Sequence, residues 1–275
     1  MKKRLTAAVT EQIELAPGIW DLYLKIPEAA KEAAAGQFVN LYCHDSAHLL
    51  PRPISLAGVD KEGGILRLVY RISGAGTGSF AQLQPGDTID LMGPLGNGFP
   101  LDAVHGKPIY LIGGGIGIPP LLETARELKG TDRNAEITAV LGYHDSRTFL
   151  ADEFAAYGMV CIASEDGSVG TKGTVLDVLK NANAGKRTDC EKQQILREES
   201  CIFACGPTPM LRALKEYAAE YGIPCWLSLE ERMACGVGAC LACVCHTTEK
   251  DEHSQVKNRR VCKEGPVFKA EEIAL

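Results

Sequence analysis

The sequence lacks the features that mark several large classes of protein. It has no basic excess, because 29 lysines and arginines stand against 35 aspartates and glutamates, a formal net charge of −6. We therefore expect no nucleic-acid binding. No apolar run is long enough to span a bilayer, so we expect no membrane insertion. The basic residues 1–4 are not followed by an apolar signal region, and these absences together predict a cytoplasmic protein.

Patterns for catalysis by side chains alone are also missing. The sequence shows no Ser-His-Asp arrangement and no paired carboxylates, which favours chemistry carried by cofactors. No internal repeat or low-complexity tract is visible. A length of 275 residues, of which 45% are hydrophobic and 23% charged, suits two globular domains and a smaller third part.

Two kinds of strand pattern divide the chain. Short predicted strands over 19–26, 38–43, 65–72 and 88–92 are separated by Gly, Pro and Asp, and they predict an antiparallel sandwich or barrel. Further along, apolar strands over 108–112, 137–142 and 201–205 alternate with helical periodicity, as over 121–128. This alternation predicts βαβ units and a doubly wound parallel sheet.

Changes in composition near residues 102 and 225 give three predicted domains, 1–102, 103–225 and 226–275. The polar segment 181–200 has little periodicity and is interpreted as a surface excursion. The last domain is rich in cysteine and glycine.

Eleven cysteines in a chain predicted to be cytoplasmic indicate metal or redox chemistry rather than disulfides. Four have the plant-type spacing of a [2Fe–2S] cluster, C-x4-C-x2-C and a fourth after 18 residues: Cys235, Cys240, Cys243 and Cys262. Gly236 and Gly238 allow unusual backbone angles and let N–H groups approach the cluster sulfurs. We therefore expect these four thiolates to bind a [2Fe–2S] cluster.

Two alternatives exist for this cysteine cluster. A structural zinc site usually takes two separated cysteine pairs, which differs from a triplet with a lone fourth ligand. Cys245 would share a strand face with Cys243 and could compete for its position. The x2 spacing from Cys240 favours Cys243.

Two glycine turns in the middle region have the form of nucleotide-binding turns. The first follows strand 108–112 and contains Gly113, Gly114, Gly115 and Gly117, followed by Pro119 and Pro120 in place of the end of the G-x-G-x-x-G pattern. Proline is tolerated in a first helical turn. The second turn, Cys205, Gly206 and Pro207, follows strand 201–205. A dinucleotide lying across the carboxyl ends of parallel strands would contact both turns, whereas the first motif alone could be any tight turn.

A patch of arginines, hydroxyls and glycines lies in the β-rich half. It consists of Arg52, Pro53, Ile54, Ser55, Val69, Tyr70, Arg71, Gly76 and Thr77. Arginine offers a planar, permanently charged fork for phosphate, and glycine allows close backbone approach, so an anionic cofactor would use such a patch. On spacing alone, strand-end arginines beside a hairpin loop are the simpler explanation.

The order of these motifs, with Gly-Pro-Leu-Gly at 93–96 and the segment 229–240, resembles the ferredoxin–NADP reductase superfamily. More narrowly, it is similar to the family of electron-transfer subunits of B-type dihydroorotate dehydrogenase. The resemblance covers about 36–262 and implies an FAD-binding antiparallel β-barrel, an NAD-binding α/β domain and a C-terminal [2Fe–2S] domain. The segments 181–200 and 250–260 look inserted relative to the family pattern.

The resemblance also implies roles for the residues. Arg52, Pro53, Ile54 and Ser55 would contact the flavin ring and ribityl chain. The FAD diphosphate would be held by Val69, Tyr70, Arg71, Gly76 and Thr77. The two glycine turns would shape the nicotinamide nucleotide site.

By this resemblance the protein is an NAD-linked oxidoreductase subunit of pyrimidine biosynthesis. An FMN-binding partner would oxidise dihydroorotate. Electrons would pass from FMN through the cluster and FAD to NAD⁺, and two copies of each subunit would form a heterotetramer.

One alternative is a related subunit of a ferredoxin–NAD(P) oxidoreductase or hydrogenase. Another is a non-catalytic, zinc-stabilised nucleotide-sensing module. Asp145 would favour NAD through the ribose diol, whereas Arg147 could serve the 2′-phosphate of NADP.

Overall fold

The structure is a computed structural model that describes residues 3–44, 48–183, 199–250 and 255–275. The chain forms two compact units. The first comprises Met1–Gly98 with Glu230–Val267, and the second Phe99–Leu229 with Phe268–Leu275. Within the described ranges, no helix has the length and apolar character needed to cross a bilayer.

The described residues contain more strands than α-helices. The strands are, in chain order, β1 (Arg4–Ala16), β2 (Ile19–Lys25), β3 (Phe38–Tyr42), β4 (Arg52–Asp60), β5 (Ile65–Arg71), β6 (Thr88–Leu95), β7 (Ile109–Gly114), β8 (Ile137–Tyr143), β9 (Met159–Ser164), β10 (Thr171–Lys172), β11 (Cys201–Cys205), β12 (Cys225–Ser228), β13 (Val244–His246), β14 (Asn258–Arg260) and β15 (Val267–Lys269). The α-helices are α1 (Pro27–Glu32), α2 (Ala75–Phe80), α3 (Pro119–Thr131), α4 (Ala151–Phe154), α5 (Val175–Asn183) and α6 (Thr208–Glu220).

A closed six-stranded barrel forms most of the first unit. Its strand order is β1-β2-β5-β4-β3-β6, and all the neighbouring strands are antiparallel. Alternate side chains fill the interior, as Leu22 and Leu24 of β2 and Leu66 and Leu68 of β5 show by being fully buried. Closure of the sheet leaves no unpaired strand edge.

One ion pair is almost fully buried in the wall of this barrel. The Asp21 carboxylate is 1% exposed. The Arg67 Nε donates to both of its oxygens at 3.0 Å, and the Nη2 donates to Oδ2 at 2.7 Å. The guanidinium fork thus satisfies a carboxylate that would be costly to bury alone.

The cysteine-rich segment Glu230–Val267 belongs to the same unit as the barrel. Its strands β13 and β14 form a two-stranded antiparallel sheet. Asn97, just after β6, connects the segment to the barrel: its backbone N–H donates to the Gly265 carbonyl at 2.7 Å. The Asn97 Nδ2 donates to the carbonyls of Lys263 and Glu264, both at 3.1 Å. These bonds fix the residues around Cys262 to the end of a barrel strand.

The second unit is built on a seven-stranded sheet with the order β10-β9-β8-β7-β11-β12-β15. Its strands from β10 to β12 run parallel. Every residue of β7 is buried, as expected for a central strand covered on both faces. The chain leaves β7 towards β8 and returns to add β11 on the other side, so the strand order reverses beside β7. In such sheets, ligands bind at the carboxyl ends of the strands at this reversal.

The predicted antiparallel barrel and parallel α/β sheet are confirmed. The strand predicted at 201–205 begins and ends where β11 does, and the helix predicted at 121–128 is longer in the structure, Pro119–Thr131. The predictions missed the long strand β1 and the strand β4. The segment 181–200 lies largely outside the described residues. The division into 1–102, 103–225 and 226–275 stays a prediction.

We expect Asp21→Asn to destabilise the barrel by about 3–5 kcal/mol, because it leaves the buried Arg67 guanidinium without its counter-charge. Denaturant unfolding of the purified protein measures this change in the free energy of unfolding. Glu28→Gln is the control, since it breaks the exposed pair with Lys3 and should cost no more than about 1 kcal/mol. Equal losses in the two variants would contradict the role of the buried pair.

Candidate cofactor and nucleotide sites

The four cysteines predicted to bind a cluster are brought together as two interacting pairs. The Cys240 N–H donates to Cys235 Sγ at 3.4 Å, and the Cys262 N–H donates to Cys243 Sγ at 3.5 Å. The N–H groups of the consecutive residues Val237 and Gly238 donate to Cys235 Sγ and Cys262 Sγ, so the two pairs are neighbours. Each iron of a [2Fe–2S] cluster is held by two protein ligands, and two adjacent thiol pairs provide this arrangement.

Backbone N–H groups surround these sulfurs. Cys235 Sγ accepts from the N–H groups of Val237, Ala239 and Cys240 at 3.3–3.4 Å. The Gly238 N–H donates to Cys262 Sγ at 3.1 Å. The loop can aim its amides inward because Gly236 and Gly238 adopt φ of +69° and +81°, angles at which a side chain would be strained.

These donors change the acidity of the thiols. Burial by itself would raise the pKa of Cys235, but the hydrogen bonds from Val237, Cys240 and Ala239 outweigh it and lower that pKa to about 6. Burial, followed by the neighbouring Cys243 thiol, raises the pKa of Cys262 to about 12. The thiolate is the ligand form of cysteine, so Cys235 is already prepared to bind metal.

The arrangement fits a two-iron cluster better than a single zinc ion. A zinc site requires four ligands converging on one point. Two adjacent cysteine pairs, surrounded by N–H donors to sulfur, are what a negatively charged iron–sulfur core needs.

Cys245, the competing ligand considered from the sequence, has a different environment. It lies in β13 opposite Arg259, and its Sγ donates to the Arg259 carbonyl at 3.5 Å. Burial raises the pKa of Cys245 to about 11. A buried thiol with a raised pKa and a local acceptor behaves as a small core residue.

Arg260 holds the cysteine loop in place, and the sequence pattern did not single it out. Its Nη1 donates to the Gly238 carbonyl at 3.0 Å, while its Nε donates to Glu264 at 3.0 Å. The Arg260 N–H also donates to Glu264 at 2.8 Å. In the sequence, Arg260 lies at the end of a charged stretch that looked like an insertion. Its role in holding the cysteine loop is visible only in the structure, where it contacts Gly238, 22 residues away in the chain.

Two residues of the predicted FAD patch, one in β4 and one in α2, are in contact beside the barrel. Arg52, at the start of β4, lies against Gly76 in α2: a Cβ added to Gly76 would be 2.5 Å from the Arg52 Nε. The guanidinium therefore lies directly over a glycine backbone. Gly74, by contrast, faces open space. The Arg52 guanidinium thus lies over a glycine-rich turn, and there is open space beside that turn. This arrangement is suited to binding the diphosphate of FAD.

The other patch residues support this arrangement in different ways. Tyr70 is 1% exposed and packs edge-on against Phe80 with ring centroids 6.1 Å apart. The Thr77 hydroxyl accepts from the Ser73 N–H at 2.9 Å and donates to the Gly74 carbonyl, so it shapes the turn itself. Val69 is buried, while Arg71 is exposed at the end of β5. Pro53, Ile54 and Ser55 are half-buried along β4.

The two predicted nucleotide turns are in direct contact. A Cβ added to Gly117 would lie 2.4 Å from the Cys205 carbonyl oxygen and 2.5 Å from the Gly206 nitrogen. A Cβ added to Gly114 would meet Pro207 at 3.1 Å. Gly115 adopts φ of +52°, and Pro119 begins α3. The carboxyl ends of β7 and β11 therefore form one surface made of backbone, which is suited to close approach by a dinucleotide.

Asp145 and Arg147 follow β8 at the same edge of the sheet. The Arg147 Nε donates to the Asp145 carboxylate at 2.8 and 2.9 Å, and the Arg147 backbone N–H donates to it at 3.0 Å. The Arg147 side chain, and then its backbone N–H, lower the pKa of Asp145 to about 2. The arginine is thus paired with the aspartate rather than directed at a phosphate.

Two domain families match this chain. The oxidoreductase FAD-binding domain matches residues 6–99, and the iron–sulfur cluster binding domain of dihydroorotate dehydrogenase B matches residues 230–274. The first coincides with the barrel and the second with the cysteine-rich segment. The predictions of an FAD domain and an iron–sulfur domain are therefore confirmed.

Similar proteins cover the whole length. The electron transfer subunit of dihydroorotate dehydrogenase B (NAD(+)) from Bacillus caldolyticus is 43% identical over 100% of this chain and 99% of the relative. The corresponding subunit from Streptococcus pneumoniae R6 is 40% identical over 98% of both chains.

Solved structures show the same fold. The NADH-dependent reduced ferredoxin-NADP oxidoreductase is 29% identical, with a TM-score of 0.83 over 98% of this chain and 89% of that one. A ferredoxin NADP⁺ reductase from Neisseria gonorrhoeae has a TM-score of 0.66 at 18% identity, over 80% of this chain and 92% of that one. The full-length relatives favour the main interpretation over the related reductase or hydrogenase subunit and over the zinc module. The chain belongs to the family of electron transfer subunits of dihydroorotate dehydrogenase B.

Proposed function

We propose that this chain carries electrons from a dihydroorotate-oxidising catalytic subunit to NAD⁺. The observation that carries the proposal is that one compact unit contains both the two neighbouring cysteine pairs and the arginine–glycine patch of the FAD-binding barrel. When bound, a [2Fe–2S] cluster transfers single electrons, and FAD connects them to hydride exchange with nicotinamide. Both groups suit the residues that would hold them.

Each part of the chain has a separate task in this proposal. Cys235, Cys240, Cys243 and Cys262 hold the cluster, and their N–H donors stabilise its negative charge. Arg52, which the resemblance assigns to the flavin ring and ribityl chain, is proposed here to hold the FAD diphosphate together with Gly76, because the two residues lie against each other. The backbone surface formed by Gly117 and Cys205 receives the nicotinamide nucleotide.

The partner in this proposal is an FMN-binding catalytic subunit, with two copies of each chain in the complex. The exposed face of the cysteine loop supports docking at this point, because Cys240 is exposed and the apolar side chains of Val237 and Leu241 are 43% and 61% exposed. Apolar side chains beside a redox centre suit a contact that excludes water. A cytoplasmic location stays a prediction.

NAD⁺ is the proposed nucleotide rather than NADP⁺. A carboxylate after the second strand of such a domain binds the ribose diol, and it repels a 2′-phosphate. Asp145 has this position after β8. Its carboxylate pairs with the Arg147 guanidinium, the cation that the 2′-phosphate of NADP⁺ would need.

Replacing any one of the four proposed ligands by serine should remove the cluster. Wild-type protein should contain about two irons and two acid-labile sulfides per chain, and Cys235→Ser or Cys262→Ser should contain almost none. Cys245→Ser is the matched control and should retain the full content, because that thiol bonds to the Arg259 carbonyl. Iron and sulfide analysis with visible absorbance measures this. Cluster loss in Cys245→Ser with retention in Cys243→Ser would reverse the ligand assignment.

Gly117→Ala should weaken NADH binding by about 10- to 100-fold, because its Cβ would force apart two turns that must stay in register. Titration calorimetry of the FAD-loaded protein gives the dissociation constant. Gly130→Ala is the control: an added Cβ meets nothing within 4 Å there, and alanine favours the helix. The nucleotide role of the glycine turn would be disproved by unchanged NADH affinity in Gly117→Ala.

Asp145→Asn should reduce the preference for NADH over NADPH about tenfold. The change removes a negative charge and releases Arg147 to meet the 2′-phosphate. Flavin reduction rates with each nucleotide provide the ratio. Glu216→Gln, which makes the same charge change on the exposed face of α6, should leave the ratio unchanged. If the ratio of the rates with NADH and NADPH changes equally in both variants, the cause is net charge, and the role of Asp145 in nucleotide selection is contradicted.

A further inference from the structure

A buried amide without a protein partner lies against the cysteine loop. Asn40, in β3, is 0% exposed, yet neither its Nδ2 nor its Oδ1 has a hydrogen-bond partner. Among the described side chains, only one other buried nitrogen or oxygen, the Nε1 of Trp20, shares this condition. Native proteins pair nearly all such groups, so a fully buried orphan indicates a partner that the polypeptide itself does not supply.

The amide is directed at the residue next to a proposed cluster ligand. A Cβ added to Gly236 would lie 2.1 Å from the Asn40 Nδ2 and 3.1 Å from its Cγ. Gly236 directly follows Cys235, and its φ of +69° turns the loop over the amide. Only a glycine leaves room for this approach, so the loop and the asparagine fit each other.

The strand pairing also places Asn40 beside the predicted flavin strand. Asn40 is the direct cross-strand partner of Pro53, and Phe38 is that of Ser55. Cross-strand partners point to the same face of a sheet. The intervening Val39 belongs to the barrel core, so Asn40 projects from the outside of the barrel, on the face of Pro53 and Ser55.

We propose that Asn40 is a positioning residue for the cluster: its Nδ2 donates a hydrogen bond to the sulfur shell held by the Cys235 loop. The inference rests on the proposed function, because it assumes that the four cysteines bind a [2Fe–2S] cluster. The reduced cluster carries one more negative charge than the oxidised one, and a hydrogen-bond donor stabilises the more negative form. Asn40 therefore raises the reduction potential of the cluster and favours its acceptance of an electron.

The test is Asn40→Leu in the cluster- and FAD-loaded protein. Leucine has the same branched shape and number of heavy atoms and no donor, so the fold should be retained. At a fixed potential, the ratio of reduced to oxidised cluster should fall about tenfold, equivalent to ~59 mV for a one-electron couple. Redox titration followed by electron paramagnetic resonance of the reduced cluster gives this ratio. The absorbance bands of the bound flavin should not move.

Gln37→Leu is the matched control. It also removes a side-chain amide beside β3, but both polar atoms of that amide already have partners: Nε2 donates to the Gly96 carbonyl at 2.8 Å, and Oε1 accepts from the Ala34 N–H at 2.9 Å. We expect Gln37→Leu to lower the melting temperature while the cluster potential stays unchanged. If Asn40→Leu does not fold, Asn40→Ser replaces it, because a serine hydroxyl is too short to reach over Gly236 and should lower the potential in the same direction.

The outcomes separate the inference from the proposed function. Wild-type protein without iron and sulfide would overturn the proposed function. A wild-type cluster whose potential and resonance signal are unchanged in Asn40→Leu would overturn the inference alone. A shift of the flavin bands with no change in the cluster would also overturn it, since the amide would then act on the flavin.

Discussion

The fold of the cysteine loop depends on backbone N–H groups that turn towards sulfur. Cys235 Sγ accepts three of them and Cys262 Sγ accepts one, and each becomes stronger when the sulfur is a thiolate. Contacts from outside also hold the loop, by Arg260 at the Gly238 carbonyl and by Asn97 at the end of β6. The barrel is the support on which the cluster loop is assembled.

Much of the fold was predictable because its signals are local. β11 is a continuous apolar run ended by glycine, and α3 begins at a proline after a glycine turn, so periodicity and turn residues identify both. β1 was missed because Glu11 and Glu14 interrupt its apolar pattern, and its pairing with β2 is irregular between Val9 and Glu11 and again between Glu14 and Ala16. An irregular register breaks the period of two by which strands are recognised.

The residues of the candidate sites also fall into two groups, those recognisable from local sequence patterns and those that depend on long-range contacts. The cysteine spacing, the glycine turns and the arginine patch are patterns of neighbouring residues, and the sequence shows them. Asn40 and Arg260 depend on contacts between distant parts of the chain: Asn40 looks like an ordinary outward position of a strand until the segment around Gly236 covers it. No pattern within β3 contains this information, because the burial of Asn40 comes from residues almost 200 positions away.

The proposed function depends most on a cluster that exchanges electrons with the flavin of the same chain, and anaerobic titration of the purified protein with NADH tests this directly. NADH should bleach the flavin absorbance and, in the same samples, produce the resonance signal of a reduced [2Fe–2S] cluster approaching one per chain. Bleaching of the flavin without that signal, in protein that contains iron and sulfide, would contradict electron transfer between the two centres.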